Sequence, residues 1–241
     1  MPISVFQTLF QVSTSNAEKV IADLICGALF FAMRSCEYTD TPAKTEKKTD
    51  IIEIADILFY DKNDINIKHT DTAFVIKAQW VAIRFRSQKN GKKNEIIINT
   101  RSGTDFCPVI IWGRIITRLW SYPGTTKNTK VNTCHLFDTN KTFRITSSAI
   151  TSTLKNVVEI TGPEKLGIPL SSVGTHSVRT SFAMFMALRK EQDSTIQLQG
   201  RWKSASFLKY IRNYINKFSK DCSSSIANKN NDFVSLLHKY E

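Results

Sequence analysis

The spacing of apolar residues constrains the fold of this chain more than any other feature of its sequence. Over residues 17–33, apolar side chains recur every three or four positions, and Asn16 is a candidate N-cap. The same helical spacing recurs after Pro108, over Ser147–Thr161, from His176 onwards and over Ser206–Phe218. Because each such helix must bury its apolar face against other elements, the spacing predicts a mainly helical domain.

One pair of segments alternates apolar and polar residues instead. Trp80–Arg86 (WVAIRFR) and Glu95–Asn99 (EIIIN) flank a polar, glycine-containing stretch, which is the pattern of a β-hairpin. Two short β-like segments and one turn-rich surface loop are also predicted, at Ile57–Tyr60, Phe74–Lys77 and Ser121–Asn140, respectively. The predicted fold class is therefore α+β: mainly α, with a small antiparallel β-sheet inserted early.

The charge balance of the chain favours a polyanionic partner. Its 241 residues include 33 Lys and Arg against 21 Asp and Glu, a formal net charge of +12. Such a charge suits nucleic acid first and an anionic membrane surface second. A soluble basic protein without a polyanionic partner is the alternative.

Several patterns argue against membrane, secretory and metal-bound classes. The most apolar stretch, Ile21–Met33, is too short to cross a hydrocarbon core of about 30 Å and contains Asp23. The N-terminus lacks the basic region that opens a signal peptide. Five cysteines without a CxxC pair argue against a disulfide framework or zinc module, and the adjacent Cys134 and His135 have no two further ligands nearby. An intracellular protein is expected.

Two groups that bind oxyanions open one of the predicted helices, in the stretch GTHSVRTSFAMFMALRK. His176 and Arg179 are three residues apart, so they share a helical face and can reach one bound group. Arginine is a permanently charged fork that suits phosphate oxygens, and neutral histidine accepts a proton near pH 7. A capping histidine and a surface arginine are the alternative.

A tyrosine in the last predicted helix has positively charged neighbours. Tyr210 lies at the edge of the apolar stripe, flanked by Lys209 and Arg212. A half-exposed phenol in that setting can reach a phosphate, whereas a packing role is the alternative. Tyr214 lies nearer the middle of the stripe and is predicted to be in the core.

Two further groups of basic residues are candidates. Arg34 follows a strongly apolar helix, and a part-buried arginine there needs a partner, either Glu37 or a ligand phosphate. Lys89, Lys92 and Lys93 in the hairpin turn either project into a substrate groove or solubilise the turn.

Taken in order, these features resemble the catalytic domain of tyrosine recombinases, the phage-integrase family. The resemblance covers residues 15 to 218: MRSCEY resembles the R-x-x-E turn, HSVR the HxxR box, and GRWKSASFLKYIR the segment that ends in the nucleophile. The sequences of these motifs resemble most those of integrases of eukaryotic mobile elements, such as Cryptons and tyrosine-recombinase retrotransposons. The resemblance implies the fold of this family, the core of DNA breaking-rejoining enzymes.

The resemblance also implies a mechanism. Arg34 and Arg179 would hold the scissile phosphate, and Tyr210 would attack it to give a 3′-phosphotyrosyl bond. His176 would act as general base and Lys89 as general acid, with neither ATP nor metal nor another cofactor required. The family has His or Trp nine residues before the nucleophile, where this chain has Arg201. Either Arg201 hydrogen-bonds the phosphate or the adjacent Trp202 packs there.

The partner that the resemblance implies is double-stranded DNA, in the nucleus or nucleoid, with self-association of the protein as a tetramer and no membrane. DNA contacts are expected from Lys92, Lys93, Lys203, Lys209 and Arg212. Residues 1–220 would form the catalytic domain and 221–241 a tail that docks on a neighbouring protomer or on its own domain, while the family's N-terminal core-binding domain is expected to be absent. The alternatives are a non-catalytic DNA-binding remnant and a type IB topoisomerase-like enzyme.

Overall fold

The computed structural model describes residues 1–40, 49–88, 91–209 and 211. Three residues proposed for the site, Lys89, Tyr210 and Arg212, lie outside the described residues, as does Tyr214. The helices are α1 (Ile3–Val12), α2 (Asn16–Phe30), α3 (Ser35–Tyr38), α4 (Thr72–Val75), α5 (Pro108–Trp120), α6 (Ser147–Thr161), α7 (Pro163–Leu166), α8 (His176–Leu188) and α9 (Asp193–Gly200). The strands are β1 (Ile57–Tyr60), β2 (Asn66–Ile67), β3 (Trp80–Ser87), β4 (Lys93–Thr100), β5 (Thr133–Leu136) and β6 (Lys141–Arg144).

Helix α2 is the centre of the core and contacts α1, α5, α6 and α8. Its close contact with α5 depends on Gly27, because a Cβ at that position would lie 3.1 Å from the indole of Trp112. The same indole donates a hydrogen bond to the Gly27 carbonyl (3.3 Å) and meets the ring of Phe31 edge-on. A buried aromatic therefore joins the two helices where the absent side chain leaves room.

The ends of α2 differ from the sequence-based prediction. Ser15, not Asn16, is the N-cap: its hydroxyl accepts from the Glu18 amide (3.2 Å), and the Glu18 carboxylate accepts from the Ser15 amide (2.9 Å). This reciprocal capping box is encoded by the S-x-x-E spacing. At the other end, the helix stops at Phe30 because Ala32 adopts a left-handed conformation (φ 44°).

The predicted hairpin is confirmed and belongs to a larger antiparallel sheet with strand order β2-β1-β3-β4. Ile83 of β3 pairs with Ile97 of β4, and both are buried, whereas Ile96 and Ile98 face outward and are exposed. This inside-outside alternation is the one that the sequence predicted for the hairpin.

Two assignments made from the sequence are wrong. Phe74–Lys77 is not a strand, since the Asp71 carbonyl accepts from the amides of Phe74 and Val75 and closes the short helix α4. Ser121–Asn140 is not wholly a loop, because it contains β5, which pairs with β6. Cys134 and His135 lie in β5 and are buried, with His135 Nδ1 2.8 Å from the Thr142 hydroxyl. Pattern segments of only four residues do not distinguish these structures.

The remaining helices agree with the sequence to different degrees. The prediction of Ser147–Thr161 is confirmed as α6, which ends at Gly162 (φ 95°), and α5 and α8 begin where expected. Helices α1 and α9 were not predicted; α9 buries only Ile196 and Gly200, so its sequence carries little helical periodicity. Of the predicted helix Ser206–Phe218, the described residues show a 3-10 turn over Ala205–Phe207 and helical structure at 208, 209 and 211.

We expect Ser15→Ala to lower the stability of the domain by about 1 kcal/mol, because the first turn of α2 loses a side-chain acceptor. For a domain of this size the melting temperature should fall by roughly 2–4 °C. Thermal denaturation followed by circular dichroism measures this shift. Ser171→Ala, at an exposed serine outside the cap, is the control, and equal melting temperatures for the two variants would contradict the role of the capping box.

Candidate functional site

The predicted arginines meet in one cluster, formed by Arg34, Glu37, Arg179, Arg201 and Trp202, which we call the arginine cluster. Arg34 comes from the turn between α2 and α3, Arg179 from α8, and Arg201 from the end of α9. Residues more than 160 positions apart in the sequence, such as Arg201 and Glu37, are in direct contact.

Glu37 holds Arg34 in place. Arg34 is the N-cap of α3, and its backbone amide donates to Glu37 Oε2 (2.8 Å) while its Nη1 donates to Oε1 (3.0 Å). The sequence left either Glu37 or a ligand phosphate as the partner of Arg34, and the structure shows that Glu37 is a partner. The Arg34 side chain still keeps 19% of its surface exposed, so a ligand anion can also reach it.

Arg201 also pairs with Glu37 but is fully buried. Its Nη2 lies 2.8 Å from Glu37 Oε2, and its Cζ lies 3.3 Å from the centre of the Phe85 ring. Burial lowers the pKa of Arg201 to about 10, an effect that Glu37 opposes and the nearby Arg34 reinforces. The side chain is therefore still charged at neutral pH, within the core.

Trp202 packs against Arg179. The Arg179 guanidinium donates to the carbonyl oxygens of Ala32 and Gly200 and lies 4.2 Å from the indole centre. The indole is in turn stacked on Phe182 and tilted against Phe207. Arg179 is only 3% exposed, so these contacts fix its orientation.

A sharp turn at the end of α9 makes these contacts possible. Arg201 has a left-handed backbone (φ 55°), and the Trp202 amide donates to the Gln197 carbonyl (3.0 Å), which folds the chain back. The indole consequently lies over Gly200, where a Cβ would be 1.5 Å from a ring carbon. Glycine at position 200 is thus required by the packing of Trp202.

His176 begins α8, three residues from Arg179, and keeps part of its surface exposed. Partial burial of the imidazole, and then the positive charge of Arg179, lower the pKa of His176 below its usual 6.5. The imidazole is consequently mainly neutral at pH 7 and can accept a proton. It lines a cleft of about 370 Å³ together with Val173, Gly174, Ser177 and Thr180.

The hairpin is joined to the arginine cluster by Gln88, a buried residue that sequence reasoning missed. Its side chain accepts from Arg34 Nη1 (3.3 Å) and donates to Glu95 (2.6 Å). Glu95 is also 3.3 Å from Lys92 Nζ. Gln88 directly precedes Lys89 in the sequence, but a polar residue in a turn carries no signal that marks it as a contact of a distant arginine.

The predicted DNA-binding lysines within the described residues are all at the surface: Lys92, Lys93, Lys203 and Lys209. Phe85 was also missed as part of the site, because in the sequence it fits the ordinary alternation of its strand, and Gly200 was noted only as the first residue of the GRWKSASFLKYIR segment. In residues 1–40, 49–88, 91–209 and 211, no three His, Cys, Asp or Glu side chains are grouped so that they could hold a metal ion. Nor does that part of the chain contain a helix with the length and hydropathy needed to span a membrane.

Comparison with known proteins found similarity at the level of structure. No protein-family model matches the chain, and neither does any curated protein sequence. The XerH site-specific recombinase bound to palindromic difH substrate in a post-cleavage complex is similar with a TM-score of 0.58 and 13% identity, over 94% of this chain and 51% of that one. Its pre-cleavage complex gives a TM-score of 0.55 and 12% identity, over 90% of this chain and 49% of that one.

The Tn1549 transposon integrase in complex with transposon right end DNA gives a TM-score of 0.46 and 9% identity, over 91% of this chain and 65% of that one. The chain spans about half the length of the XerH structures. The XerH comparisons confirm the predicted fold class: a largely helical domain with a small antiparallel sheet, in the fold of tyrosine recombinase catalytic domains.

We expect Gly200→Ala to destabilise the domain by roughly 1–3 kcal/mol, since the added methyl group displaces the indole of Trp202 from its site. The unfolding midpoint in urea measures the loss. Gly103→Ala is the matched control, because a Cβ at Gly103 meets no atom within 4 Å. Equal midpoints for the two variants would show that the indole does not occupy the space over Gly200.

Proposed function

We propose that this chain is the catalytic domain of a site-specific DNA recombinase or integrase, which cleaves and rejoins DNA through a 3′-phosphotyrosyl intermediate. The observation that carries the proposal is the pairing of Arg34 and Arg201 with the buried carboxylate of Glu37, next to Arg179, which donates to the same Ala32 carbonyl as Arg201 does. Three guanidinium groups and one carboxylate leave an excess of positive charge in a water-poor site, and a phosphodiester anion complements that excess. The fold is consistent with this chemistry, since the XerH structures are recombinase–DNA complexes.

In this proposal, Arg34 and Arg179 bind the non-bridging oxygens of the scissile phosphate and stabilise the charge that grows in the transition state. Arg34 is already partly exposed. Arg179 is buried and donates to two carbonyl oxygens, so binding a phosphate requires its guanidinium to exchange one of these acceptors for a phosphate oxygen.

The proposed nucleophile is Tyr210. Its phenol oxygen bonds to phosphorus while the bond from phosphorus to the 5′ oxygen breaks; His176 takes the phenol proton and Lys89 supplies a proton to the departing 5′ oxygen. The lowered pKa of His176 keeps the imidazole in the neutral form that can accept the phenol proton. Reversal of the same steps rejoins the strand, because the phosphotyrosyl bond conserves the energy of the phosphodiester.

The proposed partner is double-stranded DNA. The exposed Lys92, Lys93, Lys203 and Lys209, together with Arg212, would contact its phosphates and give binding that weakens with salt. We also propose that residues 1–220 act as the catalytic domain, that 221–241 dock on a neighbouring protomer in a tetramer, and that the protein derives from a mobile element. The residues of the MRSCEY and HSVR motifs support that origin.

A non-catalytic DNA-binding role is the alternative, and one observation favours it. The side chains of Arg179 and Arg201 are almost fully buried, so neither guanidinium is presented at the protein surface. A protein that only binds DNA needs its exposed lysines but not these two groups. The two functions differ in whether a covalent protein–DNA adduct forms.

We expect the purified chain to form a covalent adduct with nicked duplex DNA in the presence of EDTA, seen as a slower band on a denaturing gel. Nicked duplexes of varied sequence trap the adduct, because the short cleaved end diffuses away and rejoining is prevented. Tyr210→Phe should abolish the adduct by removing the attacking oxygen.

Tyr214→Phe is the matched control for this experiment and should retain the adduct. An adduct that persists in Tyr210→Phe would show that Tyr210 is not the nucleophile. DNA binding at low salt without any adduct from the wild-type chain would support the non-catalytic role instead.

We expect the acid limb of the cleavage rate to have its midpoint below pH 6.5, since a general base works only when neutral and burial and Arg179 lower the pKa of His176. The rate constant at subsaturating DNA, measured from pH 4.5 to 8, reports the free protein. His176→Gln should slow cleavage and remove this limb. A midpoint at or above 6.5 would contradict the lowered pKa of His176, and the same limb in His176→Gln would exclude His176 as the base.

A further inference from the structure

Three residues of the arginine cluster form a closed ring of hydrogen bonds. Arg34 Nη1 donates to Glu37 Oε1 (3.0 Å), and Arg201 Nη2 donates to Glu37 Oε2 (2.8 Å). The ring closes where Arg34 Nη2 donates to the backbone carbonyl of Arg201 (3.2 Å). Each residue contacts the other two, so a movement of Arg201 must alter the hydrogen bonds of Arg34.

Two features fix Arg201 within this ring. Its guanidinium stacks on the Phe85 ring at 3.3 Å, which sets the plane of the group. Its left-handed backbone (φ 55°) accompanies the fold-back of the chain after α9, in which its carbonyl accepts from Arg34. The side chain of Arg201 is 0% exposed and that of Glu37 is 1% exposed, whereas Arg34 keeps 19% of its side-chain surface.

We infer that Arg201 is a positioning residue: it holds the guanidinium of Arg34 through Glu37 and through its own carbonyl, and it is not a phosphate ligand. This inference rests on the proposed function, in which Arg34 binds the scissile phosphate. It replaces the expectation that Arg201 takes over the hydrogen bond of the family's histidine. The charge of Arg201 neutralises Glu37 in the core. Of the two arginines that contact Glu37, Arg34 is then the cation that remains partly exposed.

The conservative variant Arg201→Lys separates positioning from charge. Lysine keeps the positive charge but loses the planar fork, so it cannot stack on Phe85 and hold Glu37 Oε2 in the same geometry. Arg201→Met removes the charge and keeps much of the volume. Glu37→Gln removes the residue through which Arg201 is proposed to act.

We expect the NMR signal of the Arg34 Nε–Hε group in the DNA-free protein to change its chemical shift in Arg201→Met and Arg201→Lys. The same signal should also show that the Arg34 side chain is less ordered in these variants. Assignment of this signal by Arg34→Lys makes the measurement specific. At saturating nicked DNA, cleavage should slow on the order of 100-fold, because a misplaced guanidinium no longer meets the phosphate. The Kd for DNA should change by less than about twofold, since Arg201 does not contact DNA in this proposal.

Arg114→Met is the matched control. Arg114 pairs with the buried Asp23 (2.7 Å), so this variant also breaks an arginine–carboxylate pair of the core but lies outside the arginine cluster. It should lower the melting temperature without changing the Arg34 signal or the cleavage rate. If Arg201→Met does not fold, Arg201→Lys and Glu37→Gln give the same readouts.

The double variant Glu37→Gln with Arg201→Lys tests the route of action. If Arg201 acts through Glu37, adding Arg201→Lys to Glu37→Gln should slow cleavage much less than Arg201→Lys does in the wild-type background. Multiplicative effects would overturn the part of the inference in which Arg201 acts through Glu37. An unchanged Arg34 signal would overturn the whole inference, as would a loss of DNA affinity as large as the loss of rate, which indicates a phosphate ligand.

The NMR signal does not depend on DNA cleavage, so the two proposals fail in different ways. A changed Arg34 signal without any adduct from the wild-type chain overturns the proposed function and supports the positioning of Arg34. An adduct from the wild-type chain with an undisturbed Arg34 signal in Arg201→Lys supports the proposed function and overturns the positioning role.

Discussion

The carboxylate of Glu37 is the group on which the arginine cluster depends. It is fully buried and accepts hydrogen bonds from the Arg34 amide, the Arg34 guanidinium and the Arg201 guanidinium. A buried charge is stable only when paired and hydrogen-bonded, and here the requirement is mutual, because the buried Arg201 also needs the carboxylate. Removal of Glu37 would leave Arg201 charged in the core without its carboxylate, whereas removal of Arg201 would leave Glu37 paired with Arg34 alone.

The fold brings this pair together from both ends of the chain. The turn after α2 provides Arg34, the short helix α3 provides Glu37, and α8 packs against α2. The turn after α9 places Arg201 and Trp202 next to these residues. Phe85 of β3 packs against the guanidinium of Arg201. Two stacking contacts, Arg201 on Phe85 and Arg179 on Trp202, then set the planes of two guanidinium groups. Backbone carbonyls of Ala32 and Gly200 complete the hold on Arg179.

The two kinds of positive charge in this protein have different consequences. Exposed lysines such as Lys92, Lys93, Lys203 and Lys209 contribute to the net charge of +12; at the surface this charge is screened by salt and attracts a polyanion without selecting a position on it. The arginine cluster is mostly buried, so its electrostatic interactions are stronger, and Glu37 holds Arg34 and Arg201 before any ligand binds. In the proposed reaction the first brings DNA to the protein, and the second stabilises charge at one phosphorus atom.

Elements with a long and local pattern could be predicted from the sequence alone. The spacing in 17–33 and Ser147–Thr161 predicted α2 and α6, and alternation predicted the β3–β4 hairpin, because side-chain direction follows from the helical or strand period. Short segments without a distinguishing period, such as Phe74–Lys77 and β5, were assigned wrongly. The candidate status of Arg34, His176, Arg179, Arg201 and Trp202 was also available from the sequence, through the order of motifs and their resemblance to a family.

The contacts that build the site could not be predicted in this way, because they form between elements that are distant in the sequence. The pairing of Arg201 with Glu37 joins positions 164 residues apart, and the bridge from Gln88 to Arg34 joins positions 54 apart. Neither contact has a local pattern, because each depends on how packed elements meet and not on the period of one element. The sequence therefore determined which residues carry the charge, and the packing of α2, β3, α8 and α9 determined which of these charges are neutralised in the core and which remains partly open to a ligand.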